Sequence, residues 1–138
     1  MTLKQTIQLL KTIASSKPNI RYVAEGNVYE LNQKPDVEYG VFYITQSQSE
    51  VYENYIKYKL SLFFIDRLTD GFDNRLQIQS DGIRVIKNIL NTFEDMGDDE
   101  VEYPLSFTSF NERFCDECAG VFTTVSIITD GESGCVFD

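Results

Sequence analysis

Ile56-Lys57-Tyr58-Lys59-Leu60-Ser61-Leu62-Phe63-Phe64-Ile65 is the stretch on which the fold turns. Ile56, Tyr58, Leu60, Leu62 and Phe64 alternate with Lys57, Lys59 and Ser61. This strict period of two predicts a long strand within residues 52–68, with one face in a core. Phe63 and Ile65 add apolar groups to the opposite face, so this end of the strand is predicted to be buried on both sides. Upstream, residues 39–45 are β-branched and aromatic enough for a second strand. The polar run Gln46-Ser47-Gln48-Ser49 reads as the turn between the two, so residues 39–68 form a long β-hairpin.

Helical periodicity flanks this hairpin on both sides. Leu3, Ile7, Leu10 and Ala14 make one apolar stripe over residues 2–15, closed by Ser15, Ser16, Lys17 and Pro18. Residues 76–94 read as a second helix, with Ile83, Ile86, Leu90 and Phe93 as the stripe and Val85 and Ile89 widening it. Gly82 costs this helix up to ~1 kcal/mol relative to Ala. That cost points to close packing or to a helix start nearby. Residues 80–93 are the better-formed part, with Ser80 as an alternative N-cap.

The remaining segments read as strands and connections. Ile20, Tyr22 and Ala24 share a face in a strand ending at the turn signal Gly26-Asn27, and residues 28–31 can return as a short strand. Residues 94–102 form an acidic connection expected in solvent. A strand follows around Leu105, Phe107 and Ser109, and then another at 121–129, apolar on both faces and therefore central. The tail, 130–138, is turn-like and expected to be mobile. No repeat or linker divides the chain, so residues 1–138 are read as a single α+β domain. Its sheet is mostly antiparallel, with a long β-hairpin, and two helices cover one face.

Composition narrows the chemistry. The 138 residues carry 22 acidic and 12 basic side chains, a formal charge of −10, and no His. The charge argues against general duplex-DNA binding, which needs clustered Lys and Arg. Lack of His excludes Ser-His-Asp and Cys-His nucleophilic catalysis and removes the commonest general base. The longest apolar run, Leu62–Ile65, is far short of the ~20 residues that cross a bilayer. No signal-peptide pattern opens the chain. The expectation is a soluble protein made in the cytoplasm, with no membrane partner and no cofactor. Three cysteines suit a reducing compartment better than a disulfide framework.

Few residues offer a site. Cys115-x-x-Cys118 has zinc-chelating spacing, but without His only Cys135 or a carboxylate could complete four ligands. The redox alternative wants the pair at a helix N-terminus, whereas here it precedes a β pattern. Reduced cysteines in a turn outweigh both, so Cys115 and Cys118 remain weak metal candidates. Acidic clusters at Asp95, Asp98, Asp99, Glu100 and Glu102, and at Asp66, Asp70 and Asp73, lack the alternation and central Gly of a calcium loop. Solvated loops are the better reading. Tyr52, Tyr55 and Tyr58 lack the basic groove of a base-stacking platform and read as packing or interface residues. No Gly-rich phosphate loop is present. The expected role is not enzymatic.

The element order of helix, hairpin 39–68, helix near 80–93 and closing strands 103–111 and 121–129 resembles the tail-terminator and tail-completion proteins of tailed bacteriophages. In Phe114-Cys115-Asp116-Glu117-Cys118-Ala119-Gly120-Val121-Phe122, an aromatic and small residues lead into the last strand, similar to the corresponding segment of those proteins. The acidic composition, rich in Tyr and Asn, is similar to neck proteins of crAss-like phages. The resemblance implies a virion protein at the head–tail junction that forms a six- or twelve-fold homo-oligomeric ring. Such a ring docks on portal, adaptor or tail proteins and lets DNA pass through its lumen without specific binding. It places inter-subunit contacts on the hairpin at Gln46, Tyr52 and Tyr55 and on the acidic loop at Asp98 and Asp99. A rival reading is a small acidic regulatory domain that binds a basic partner.

Overall fold

In a computed structural model, residues 2–27, 40–68, 74–96, 99–111 and 118–130 are described. The elements in chain order are α1 (Leu3–Ser15), β1 (Tyr22–Glu25), β2 (Val41–Val51), β3 (Tyr55–Arg67), α2 (Arg75–Met96), β4 (Glu100–Val101), β5 (Phe107–Asn111) and β6 (Cys118–Asp130). The six strands form one sheet in the order β1-β2-β3-β6-β4, with β5 also on β6. All pairings are antiparallel except β1 with β2, which is parallel. The fold is thus α+β, a mostly antiparallel sheet covered by helices. Readings placed on residues 28–36, Asp70, Asp73, Asp98, Cys115 and 131–138 lie outside the described residues.

The alternation in β3 sorts its side chains as expected. Leu60, Leu62 and Phe64 face the helices together with Phe42 and Ile44 of β2 and Val121, Val125 and Ile127 of β6. Against them α1 contributes Ile7, Leu10, Ile13 and Ala14, and α2 contributes Ile78, Ile86, Ile89, Leu90 and Phe93. The opposite face carries a smaller core of Val41, Tyr43, Phe63, Ile65, Phe110 and Cys118. There the Phe63 and Phe122 rings stack with centroids 5.0 Å apart, and Phe110 meets Phe63 edge-on at 6.4 Å. These aromatic contacts stabilise beyond the area they bury.

Local chemistry fixes the helix ends. Thr2 is the N-cap of α1: its hydroxyl accepts from the Gln5 amide at 3.1 Å, while its own amide donates to Gln5 Oε1 at 2.9 Å. This reciprocal pair satisfies two otherwise orphaned donors. The second helix starts at Arg75, so Ser80 is interior and not a cap. Its buried line runs through Ile78, Gly82, Ile86, Ile89 and Phe93, while Ile83, expected inside, is 40% exposed. The reason is Gly82. A Cβ there would lie 2.7 Å from Val121 Cγ2 and 3.0 Å from Phe64 Cδ2, so the missing side chain lets the helix rest directly on the sheet.

The hairpin's turn also falls elsewhere than its polar run implied. Gln46–Ser49 continues β2 through a bulge, and the chain reverses at residues 52–54, closed by the Tyr52 amide donating to the Tyr55 carbonyl at 2.8 Å. The acidic connection is likewise not a solvated loop. Residues 100–101 form β4 on β6, Asp99 is 6% exposed, and Glu94 accepts from the Val101 amide and the Tyr103 hydroxyl. Strand pairing draws residues 100–101 onto the sheet, and Glu102 beyond them pairs with Lys57.

Gly82→Ala would improve helix propensity by up to ~1 kcal/mol but forces a methyl into occupied space, which costs about 1–3 kcal/mol. We expect net destabilisation, read as a lower midpoint in urea unfolding; an unchanged or raised midpoint would disprove the close helix–sheet contact.

Candidate functional site

Two of the residues expected to carry function, Tyr52 and Tyr55, sit at the free end of the β2–β3 hairpin. Tyr52 and Tyr55 bracket its turn and stack face to face, with centroids 4.5 Å apart and planes 18° from parallel. The Tyr52 hydroxyl donates to Glu50 Oε1 at 2.9 Å, and Lys59 Nζ reaches Glu50 Oε2 at 3.2 Å. Lys57 Nζ stands 5.7 Å from the Tyr52 ring centroid and pairs with Glu102 Oε2 at 3.1 Å. All these residues lie on the face away from the helices. Period two explains this, because Glu50 is opposite Lys57 and Tyr55, Lys57 and Lys59 share one side of β3.

The electrostatics follow from these contacts. The Tyr52 hydroxyl and the Lys59 ammonium hold the Glu50 carboxyl below its ordinary 4.5. The same hydrogen bond raises the Tyr52 phenol, and the bond to Glu102 raises the Lys57 ammonium. Burial pushes up Tyr58 and Tyr103, with Asp99 and Glu94 respectively adding to the effect. The tip is therefore a locally neutralised cluster with a rigid aromatic pair. Tyr52 remains 41% exposed and Val51 79% exposed.

Gln46 is exposed on β2 beside the point where β1 ends. Asp99, expected as a contact, is buried and so is not presented to a neighbour; Asp98 lies outside the described residues. The structure thus joins Tyr52, Tyr55 and Gln46 on one hairpin and buries Asp99, close enough to Tyr58 of β3 to add to the burial that raises its pKa. Sequence reasoning missed Glu50, Lys57, Lys59 and Glu102 as a set. The alternation of Lys57 and Lys59 opposite Glu50 becomes visible only once the turn is placed at 52–54.

The cysteine reading changes too. Cys118 is the first residue of β6 and fully buried, not a turn residue. It is disulfide-bonded, so it is not the reduced thiol expected and its sulfur offers no thiolate to a metal in this state. Among the described residues no three Cys, Asp or Glu side chains come together as a metal site, and no helix is long and apolar enough to cross a membrane. The recesses are shallow. One of about 480 Å³ lies at the end of β1, lined by Glu25, Gly26, Asn27, Thr45 and Gln46. Another, about 260 Å³, runs between Gln46 and the Leu3, Ile7 flank of α1. No protein-family model matches the chain, and no curated protein matches it.

A carboxyl with a depressed pKa contributes stability above its unfolded value and loses it as pH falls through the folded one. The Tyr52–Glu50–Lys59 contact should therefore loosen as pH drops below about 4.5. An NMR titration of the Tyr52 and Tyr55 ring signals should show this step, and Glu50→Gln should abolish it. A step that survives the substitution would assign it to another group.

Proposed function

We propose that the protein is a structural, non-catalytic virion component of a phage head–tail junction. In this reading identical copies form a ring that docks on portal, adaptor or tail proteins around a lumen for DNA. The observation that carries it is the hairpin tip, where stacked Tyr52 and Tyr55 are held in place by Glu50 and Lys57 beside exposed Val51. A partly exposed aromatic pair fixed before contact is a low-entropy anchor of the kind that dominates interfaces. The chain's charge of −10 supports unhindered DNA passage, because phosphates are repelled and not held.

The rival reading, an acidic regulator that binds a basic partner, draws less support from this site. Glu50 and Glu102 are engaged by Lys59 and Lys57, so the tip presents its stacked tyrosines with the single exposed carboxylate of Glu53 beside them rather than a broad acidic patch.

Native mass spectrometry over a range of concentrations tests the proposal. The expected result is a closed six- or twelve-fold species for the wild type. Tyr52→Ala with Tyr55→Ala should shift the population to folded monomer, with a loss of about tenfold or more in assembly affinity. A one-to-one complex with a basic protein and no self-assembly would overturn it.

A further inference from the structure

β1 pairs only with Val41–Ile44 of β2, and its last contact is the Gly26 amide donating to the Ile44 carbonyl at 3.0 Å. Gly26 has φ 142°, open to glycine, and follows the last residue of β1, Glu25. Among the described residues, no strand pairs with the β1 side of β2 from Gln46 to Val51.

The groups on that side follow from the pairing. Ile44 points outward, toward β1, while the Tyr52 amide points inward, to Tyr55. Strand alternation then turns the amide and carbonyl groups of Gln46, Ser49 and Val51 outward. Among the described residues none of these three positions has a backbone partner. They lie opposite Leu60, Tyr58 and Ile56, every second residue of β3, because the bulge takes up the extra residue between Gln46 and Ser49. The bulge thus leaves an evenly spaced row of outward groups.

Edges usually carry charge, proline or a disruptive bulge against pairing. Here residues 41–49 contain no charged residue and no proline, and Glu50 is engaged by Tyr52 and Lys59. A two-fold axis at Ser49 matches this row to itself: Ser49 faces Ser49 of a second copy, Gln46 faces Val51, and Val51 faces Gln46. No like charges oppose each other at these three pairs. The length also fits, because the second copy's hairpin turns at 52–54 just where β1 takes up the Ile44 carbonyl.

A second observation is independent of the backbone. Val51, at 79%, is the most exposed of the large apolar side chains among the described residues. In antiparallel pairing, directly opposed side chains share a face. The partner's Val51 would therefore lie beside Gln46, at the groove where Leu3 and Ile7 of α1 are flanked by Lys4, Lys11 and Glu25.

We infer that the edge of β2 from Gln46 to Val51, unpaired among the described residues, pairs antiparallel with the same edge of a second copy and seats Val51 of each in the other's groove beside Leu3 and Ile7. The contact is isologous, so it closes as a pair and does not rest on the ring reading above.

Sedimentation over a range of concentrations, with amide hydrogen exchange, tests this. The wild type should form a dimer in which the Gln46, Ser49 and Val51 amides gain protection as concentration rises. Ser49→Pro removes only an outward amide, and Val51→Lys places a cation beside Lys4 and Lys11 of the groove; each should weaken the dimer by about tenfold or more. Ser49→Thr keeps the amide and should leave it intact. Melting curves establish that the variants fold, and Val51→Lys keeps the backbone should Ser49→Pro not fold. A wild type that stays monomeric at every concentration overturns the inference, as does self-association indifferent to both variants or protection that comes with a bound unlike chain. Rings untouched by both folded variants overturn the edge pairing and leave the ring reading standing. A dimer that both dissolve, with no ring at any concentration, does the reverse.

Discussion

The thirteen-residue pairing of β3 with β6, running without a register shift from Tyr55 opposite Asp130 to Arg67 opposite Cys118, sets the position of everything else. A slip of one residue would exchange Leu60, Leu62 and Phe64 for Lys59, Ser61 and Phe63 on the helix face. Phe64 shows how tightly that register is held. Gly82 of α2 sits over its ring, and a Cβ on Gly120 of the neighbouring strand would overlap its carbonyl and come 2.9 Å from Phe110 Cζ. One large residue enclosed by two that lack side chains locks helix to sheet and strand to strand. Interiors packed at this density do not tolerate an alternative alignment.

From that lock the molecule divides along its strands. At one end both faces of the sheet are apolar and covered, with the helices over Phe42, Leu62 and Phe64 and the aromatic cluster of Phe63, Phe110 and Phe122 behind. At the other end β2 passes the end of β1, and its residues 46–49 are exposed. The side chains of the tip are ordered by polar contacts among Glu50, Tyr52, Lys57, Lys59 and Glu102. Exposed ion pairs of this kind add little to global stability. Their effect is to restrict the orientation of the Tyr52 and Tyr55 rings.

Much of this was legible in the sequence because the strongest patterns report burial. The alternation of Ile56 to Phe64, the stripe of α1 and the two-sided apolarity of β6 all became the elements they indicated. Where the sequence misled, a local rule met a nonlocal one. Ser80 has cap chemistry, yet α2 starts earlier because Ile78 and Gly82 align with the sheet. Gln46 to Ser49 has turn composition, yet pairing with β3 carries it on as strand. The acidic segment near Asp99 has loop composition, yet β6 recruits it. Parallel pairing of β1 with β2 has no short-range signature at all. The tip cluster depended on the turn position, so it was hidden until the hairpin was aligned; Tyr52, Tyr55 and Gln46 were singled out by residue type and place in a projecting hairpin alone.

The split along β2 has an evolutionary consequence. Residues 41–44 are enclosed and constrained by neighbours on every side, whereas 46–49 contribute almost nothing to the interior. Substitutions in the second group can accumulate without eroding the folded state, since surface changes away from packed features seldom exceed about 0.5 kcal/mol. A lineage can therefore change the surface that this edge and tip display while the enclosed half of the same strand stays fixed. Durability and adaptability are carried by adjacent segments of one strand.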